Sequence, residues 1–185
     1  MPTVRLEGVS KAYGNIRAAD GLDITVKDGE YLCVLGPTGA GKTTALRLIA
    51  GLTRPDSGRI LFDGEDFTDA EPEDRLAVLL SQTYSLFPHM TVAENILFGP
   101  DIRSWPEENK RKMVADMLDM VRLTRRSDAF PRELSGGMQQ RTALARALAS
   151  GAKVLLLDEP LRALDARLRL SLRRELRSLA KTLHI

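Results

Sequence analysis

The chain has 185 residues, enough for one domain, or one with a subdomain, around a core that folds alone, and too few for a large multidomain machine. Hydrophobic residues make up 43% and charged residues 28%, a globular rather than a disordered composition. Lys and Arg number 27 against 25 Asp and Glu, a net charge of +2 that is too balanced for a protein whose main business is neutralising nucleic-acid phosphates, so no nucleic-acid partner is expected.

In chain order, the first third reads as short apolar or β-branched runs: Val4 to Leu6, Ile24 to Val26, Leu32 to Leu35 and Arg59 to Phe62. Asp28-Gly29 and Asp63-Gly64 are turn signals between them. Cys33, the single cysteine, excludes an internal disulfide framework and lies in an apolar stretch, which predicts a structural thiol and a reducing compartment. Ala77 to Leu80 and Val154 to Leu157 are apolar without alternation, which suits strands covered on both faces of a mainly parallel sheet. From about Met90 to Ala149 the period becomes helical, with Met113, Val114, Met117, Leu118 and Val121 on one face and Pro106, Glu107 and Glu108 suiting a first turn. Gly99-Pro100 and Phe130-Pro131 read as loop punctuation in this insert. After Asp165, Leu168, Leu172, Leu176, Leu179 and Leu183 share one face of a helix whose arginines form a solvated side. No apolar run approaches the ~18 residues of a membrane-spanning helix, and Met1 to Arg5 does not lead into a signal region, so a cytoplasmic chain is expected.

The strongest local signal is Gly36-Pro37-Thr38-Gly39-Ala40-Gly41-Lys42-Thr43, a match to G-x-x-x-x-G-K-S/T between a predicted strand and a helical run. Glycines let main-chain amides turn inward around phosphate oxygens, the helix start adds positive dipole, and Lys42 brings a full charge to the terminal phosphates. Thr43 offers a hydroxyl to Mg²⁺. In Val154-Leu155-Leu156-Leu157-Asp158-Glu159 a buried strand delivers two carboxylates to the sheet end, where α/β folds bind ligands. Alone, that run equally describes a strand ending in a solvated loop. Beside the phosphate loop, Asp158 becomes the Mg²⁺ candidate and Glu159 the group that polarises the attacking water. Guanine specificity is unsupported, because Asn109-Lys110-Arg111-Lys112 lacks the aspartate of an Asn-Lys-x-Asp element.

With Leu134-Ser135-Gly136-Gly137-Met138-Gln139-Gln140-Arg141 upstream of Asp158-Glu159, the chain resembles the ATP-binding cassette (ABC) family, importer type, whose signature reads Leu-Ser-Gly-Gly-Gln. The resemblance covers nearly the whole chain. It implies an α/β P-loop NTPase core with a mainly parallel sheet, an antiparallel N-terminal β subdomain and an inserted helical subdomain, the core at 1–83 and 150–185 and the insert at about 84–149. It implies an ATPase subunit energising solute import, peripheral on the inner face of the membrane, working as a head-to-tail pair with transmembrane permease subunits and, indirectly, an extracytoplasmic binding protein. ATP and Mg²⁺ are the implied ligands. Tyr13 matches the aromatic residue that stacks on adenine, although alone it reads as a core or turn tyrosine. Gln82 matches the glutamine that senses Mg²⁺ and the attacking water, Thr44 extends the phosphate loop, and Asp165 matches an aspartate that crosses the dimer interface. Ser135, Gly136 and Gly137 would close over the phosphate held by the other subunit. Glu159, Gln82 and Lys42 form the implied catalytic set. Phe87, Met90 and Ile96 fit either the docking entrance for a permease helix or subdomain core.

Three departures stand out. Met138 replaces the signature glutamine, Arg162 stands where serine is usual, and only 26 residues follow Glu159, too few for the family's switch histidine. The expectation is a cassette truncated before its last core strand, with His184 a helix-end histidine and hydrolysis slowed. The alternatives are a soluble non-transport ABC ATPase and a nucleotide-binding module without turnover. Against the first, Gln82 and Ser135 lie too close in the chain for a long coiled coil.

Overall fold

A computed structural model describes residues 2–81 and 84–158. The chain opens with β1 (Val4–Tyr13) and β2 (Ile16–Val26), joined by a two-residue turn that Gly14 enters at φ 58°. Val4 and Leu6 alternate inward, then the register slips and Val9 points inward instead. Gly8, at φ 58°, absorbs that bulge. β3 (Ser57–Phe62) and β4 (Glu65–Asp66) complete a four-stranded antiparallel sheet in the order β2-β1-β3-β4. Between β2 and β3 runs α1 (Lys42–Ile49), whose Leu48 and Ile49 bury against this sheet.

A second sheet consists, among the described residues, of β5 (Ala77–Leu80) and β6 (Val154–Leu157), paired parallel from Ala77 with Val154 to Leu80 with Leu157. The chain between them forms α2 (Val92–Ile102), α3 (Glu107–Met120) and α4 (Gly136–Ala149). Alternation along the ribbon sorts its side chains: Ala77, Leu79, Val154 and Leu156 join α1 and the antiparallel sheet, while Leu80, Leu155 and Leu157 join the helices. The ribbon is therefore a wall with a core on each side. Ile96 and Leu48 are fully buried on opposite sides of it, and truncating either to alanine costs about 2–5 kcal/mol.

Four expectations give way. Leu32 to Leu35 form no strand: Tyr31, Leu32, Val34 and Leu35 are 52%, 45%, 46% and 86% exposed, and Cys33 is an exposed thiol rather than a structural one. Four apolar residues state a preference for burial, but a strand exists only where a neighbour supplies ladder bonds, and here β5 and β6 pair with each other. Gly99 and Pro100 are not a loop but lie inside α2. Pro100 sits in the last turn, where a proline removes little of the helical ladder, and Gly99 relieves the steric clash a proline imposes on its predecessor. Gly99 is also where α2 meets the end of α4, since a Cβ there would lie 2.7 Å from the Ser150 Cα. Pro106, expected in the first turn of α3, stands one position earlier as its cap. The arginine-flanked helix after Asp165, with Arg162 and His184, lies outside the described residues.

Candidate functional site

Residues 36–44 wrap the start of α1. Gly39 and Gly41 take φ of 83° and 84°, the left-handed region that glycine alone enters without strain. At Gly41 the requirement is double, because a Cβ would run into the Ala18 carbonyl of β2. Gly41 is also the N-cap of α1, and it carries no side-chain acceptor for the helix's first amides. Those amides and the helix dipole face the loop. The Lys42 ammonium donates to the Gly36 and Pro37 carbonyls at 2.8 and 2.7 Å, which places its charge over the turn.

At the same end of the helix, the Thr43 hydroxyl donates to Asp158 Oδ2 at 2.9 Å. Asp158 is held at the end of β6 by its amide, which donates to the Leu80 carbonyl of β5 at 3.0 Å. A hydroxyl and a carboxylate oxygen meeting at one point are the hard donors Mg²⁺ takes, and they suit an ion that completes its shell from phosphate oxygens and water. The residues present fit that ion. Among the described residues no group of three or more His, Cys, Asp or Glu is placed to hold a metal ion.

Tyr13 ends β1, 47% exposed, on the hairpin whose Ala18 abuts the loop. Its strand is pinned by Asp56, which accepts from Lys11 Nζ at 2.6 Å and from the Ala12 amide at 2.7 Å. The Lys11 bond, then the Ala12 amide, hold the Asp56 carboxyl below its ordinary range. Lys11 Nζ lies 5.8 Å from the Tyr13 ring centre, within cation–π reach.

Ser135 caps α4 on the helical side of the wall, its Oγ accepting from the Met138 amide at 3.4 Å, with Gly136 and Gly137 in the first turn. Met138 turns its side chain onto the helical core. The described hydrogen bonds of Ser135 stay within α4, so nothing described joins this end to the phosphate loop of the same chain. Gln82, Glu159 and Asp165 lie outside the described residues.

Three polar side chains emerge that motif reasoning does not find. Asn95, fully buried, accepts from the Phe87 amide and donates to the carbonyls of Phe87, Met90 and Thr91, fixing the segment that leads into α2. Arg146 donates from α4 to the carbonyls of Ser85 and Tyr84 and lies 4.9 Å from the Phe87 ring, its pKa lowered by burial. A lone cation in the apolar run Ala143 to Ala149 is the signal that marks it. Arg75 is 2% exposed, and its acceptors are main-chain carbonyls, which leave no trace in a sequence.

A glycine-lined phosphate loop on a helix start, with a strand-end carboxylate on the loop's threonine, is the phosphate-handling end of a P-loop fold. Residues 19–162 match the ABC transporter family, and the chain belongs to it. It is 47% identical over 182 residues to the sulfate/thiosulfate import ATP-binding protein of Synechococcus elongatus, covering 98% of this chain and 53% of that protein. It is 45% identical over 184 residues to the spermidine/putrescine import ATP-binding protein of Pasteurella multocida, covering 100% and 50%. The chain thus spans about half the length of each. Among solved structures, a dimeric ATP-binding cassette in a post-hydrolysis state with ADP and Pi superposes with a TM-score of 0.82 at 32% identity, over 98% of this chain and 82% of that one.

Proposed function

We propose that the chain is the ATP-binding and hydrolysing subunit of an importer-type ABC transporter, lying against the inner face of a membrane on permease subunits, with an extracytoplasmic binding protein acting on the far side. The observation that carries this reading is the Thr43 to Asp158 contact at 2.9 Å, which joins the phosphate loop to a strand end across 115 positions of sequence. No helix among the described residues is long and apolar enough to cross a membrane itself. Relatives of almost equal identity are named for an oxyanion and for polyamines, which supports a reading in which the residues shared with this chain do not select the solute.

In this reading Tyr13 stacks on the adenine, and the amides of residues 36–44 surround the β- and γ-phosphates. Lys42 exchanges its loop carbonyls for phosphate oxygens and spreads the charge that develops there. Thr43, Asp158 and Gln82 would hold Mg²⁺, which would supply positive charge against the phosphates. Glu159 accepts a proton from a water that attacks the γ-phosphorus in line, and the bond to the bridging oxygen breaks to release ADP. Ser135, Gly136 and Gly137 of a second subunit close over the γ-phosphate, Asp165 crosses the interface, and residues 84–149 move as the helical subdomain against the core.

Mg-ATP turnover and ATP binding test it together. Lys42→Ala abolishes binding, while Glu159→Gln keeps binding and stops turnover. Glu159→Gln hydrolysing like the parent would show the base to be wrongly assigned, and binding without turnover in the parent would favour a non-catalytic module.

A further inference from the structure

Helix α1 is gripped at both ends by residues that flank the β5–β6 ribbon, Asp158 just after β6 and Arg75 just before β5. At its start, Thr43 bonds Asp158 at the end of β6. At its other end, the buried Arg75 guanidinium donates to the carbonyls of Leu48 and Ile49 at 2.8 and 3.3 Å, in the last turn of the helix, where the Leu48 carbonyl also accepts from the Gly51 amide at 3.2 Å. The rest of Arg75 is spent on the loop that follows β4: Nε and Nη2 reach the Ala70 carbonyl at 3.1 and 3.0 Å, and Nη2 the Thr68 carbonyl at 3.1 Å. The next residue, Leu76, turns through φ 49° into β5, and its carbonyl accepts from the amides of Lys153 and Val154 at 2.9 and 3.3 Å, where β6 begins. A circuit closes: Thr43, α1, Arg75, Leu76, β6, Asp158. Gly51 leaves the room for it, since a Cβ there would lie 2.6 Å from Arg75 Nε.

We infer that Arg75 is a positioning residue for the metal half of the nucleotide site, fixing where α1 stands along β6 and so the distance from Thr43 to Asp158. The inference rests on the assignment of Thr43 and Asp158 as the Mg²⁺-holding pair. Its physical content is a separation of two functions. The phosphate loop, Lys42 and Thr43 travel with α1, so a slipped helix carries its phosphate donors along. Asp158 is on β6 and stays behind. Loosening Arg75 therefore spares metal-free nucleotide binding and damages the gain that Mg²⁺ adds.

The experiment measures ATP affinity of the 185-residue chain in EDTA and in millimolar Mg²⁺, for the parent, Arg75→Met, Arg75→Lys and Thr43→Ala, at a temperature where circular dichroism matches the parent. For the two Arg75 variants the expected result is unchanged affinity in EDTA, and a Mg²⁺-dependent gain reduced about tenfold in Arg75→Met and less in Arg75→Lys, which keeps one cationic donor. If Arg75→Met unfolds, Arg75→Lys decides alone. A gain equal to the parent's in the folded Arg75 variants, with Thr43→Ala abolishing it, overturns the positioning role and leaves Arg75 as packing. A gain that survives Thr43→Ala overturns the metal assignment itself, and the inference with it.

Discussion

The starts of α1 and α4 both contain glycine, but they satisfy their amides in opposite ways. At α1 the cap is Gly41 in a left-handed conformation with nothing to offer the first amides, and Lys42 adds a cation over the turn. At α4 the chain supplies its own acceptor, Ser135, in a bond of 3.4 Å. One end leaves its donors for an anion. The other is already closed, weakly enough that an incoming oxygen can compete for the same amides. A difference of one cap residue thus separates a helix end with no side-chain acceptor from one that carries its own.

The largest test of that contrast is Gly41→Ala. A methyl at φ 84° against the Ala18 carbonyl costs about 3 kcal/mol of stability, read from the urea midpoint, and removes ATP binding with it. Ser135→Ala is milder, about 0.5 kcal/mol given its long bond, with ATP binding retained and turnover reduced. An equal loss of stability in both variants would erase the distinction between the two ends. The smallest effect belongs to a third helix start. At α2 the Thr91 hydroxyl accepts from the Glu94 amide and Glu94 accepts from the Thr91 amide, a complete capping box. The Thr91 bonds, the backbone one first, hold the Glu94 pKa below its ordinary value. A lowered carboxyl contributes stability that is present above its unfolded pKa, about 4.3, and is lost as pH falls through the folded value. Thermal melts from pH 6 to 3 therefore show a small acid-dependent loss that Glu94→Gln removes, and an identical acid limb in that variant would rule the box out as its source.

The phosphate loop, the Asp63-Gly64 hairpin turn, the β5 and β6 runs and the helical insert were legible, because each depends on residue types at short spacing, whereas the β1–β2 turn at Gly14 was not read as one. Leu32 to Leu35 misled for the opposite reason: strand pairing is decided by distant partners, and an apolar run does not name them. Gly99-Pro100 misled because a breaker pair is tolerated in a final helical turn that packs tightly on Ser150. Thr43 and Asp158 were each legible, but their contact was not. Arg75 was invisible, since an arginine among Glu71, Glu73 and Asp74 reads as surface until its carbonyl acceptors are seen.

The parallel pairing of β5 with β6 also sets an order of events during synthesis. The paired residues are 77 positions apart, and the described chain between the two strands carries α2, α3 and α4. At ribosomal speeds of about 5–20 residues per second, β5 waits on the order of ten seconds for its partner to be made. Through that interval the antiparallel sheet and α1 have one open flank, and Thr43 has no carboxylate to meet. The Thr43 to Asp158 contact therefore forms only after the helices that separate its two halves in sequence have been built, so in a nascent chain the hydroxyl and the carboxylate come together only once α4 exists.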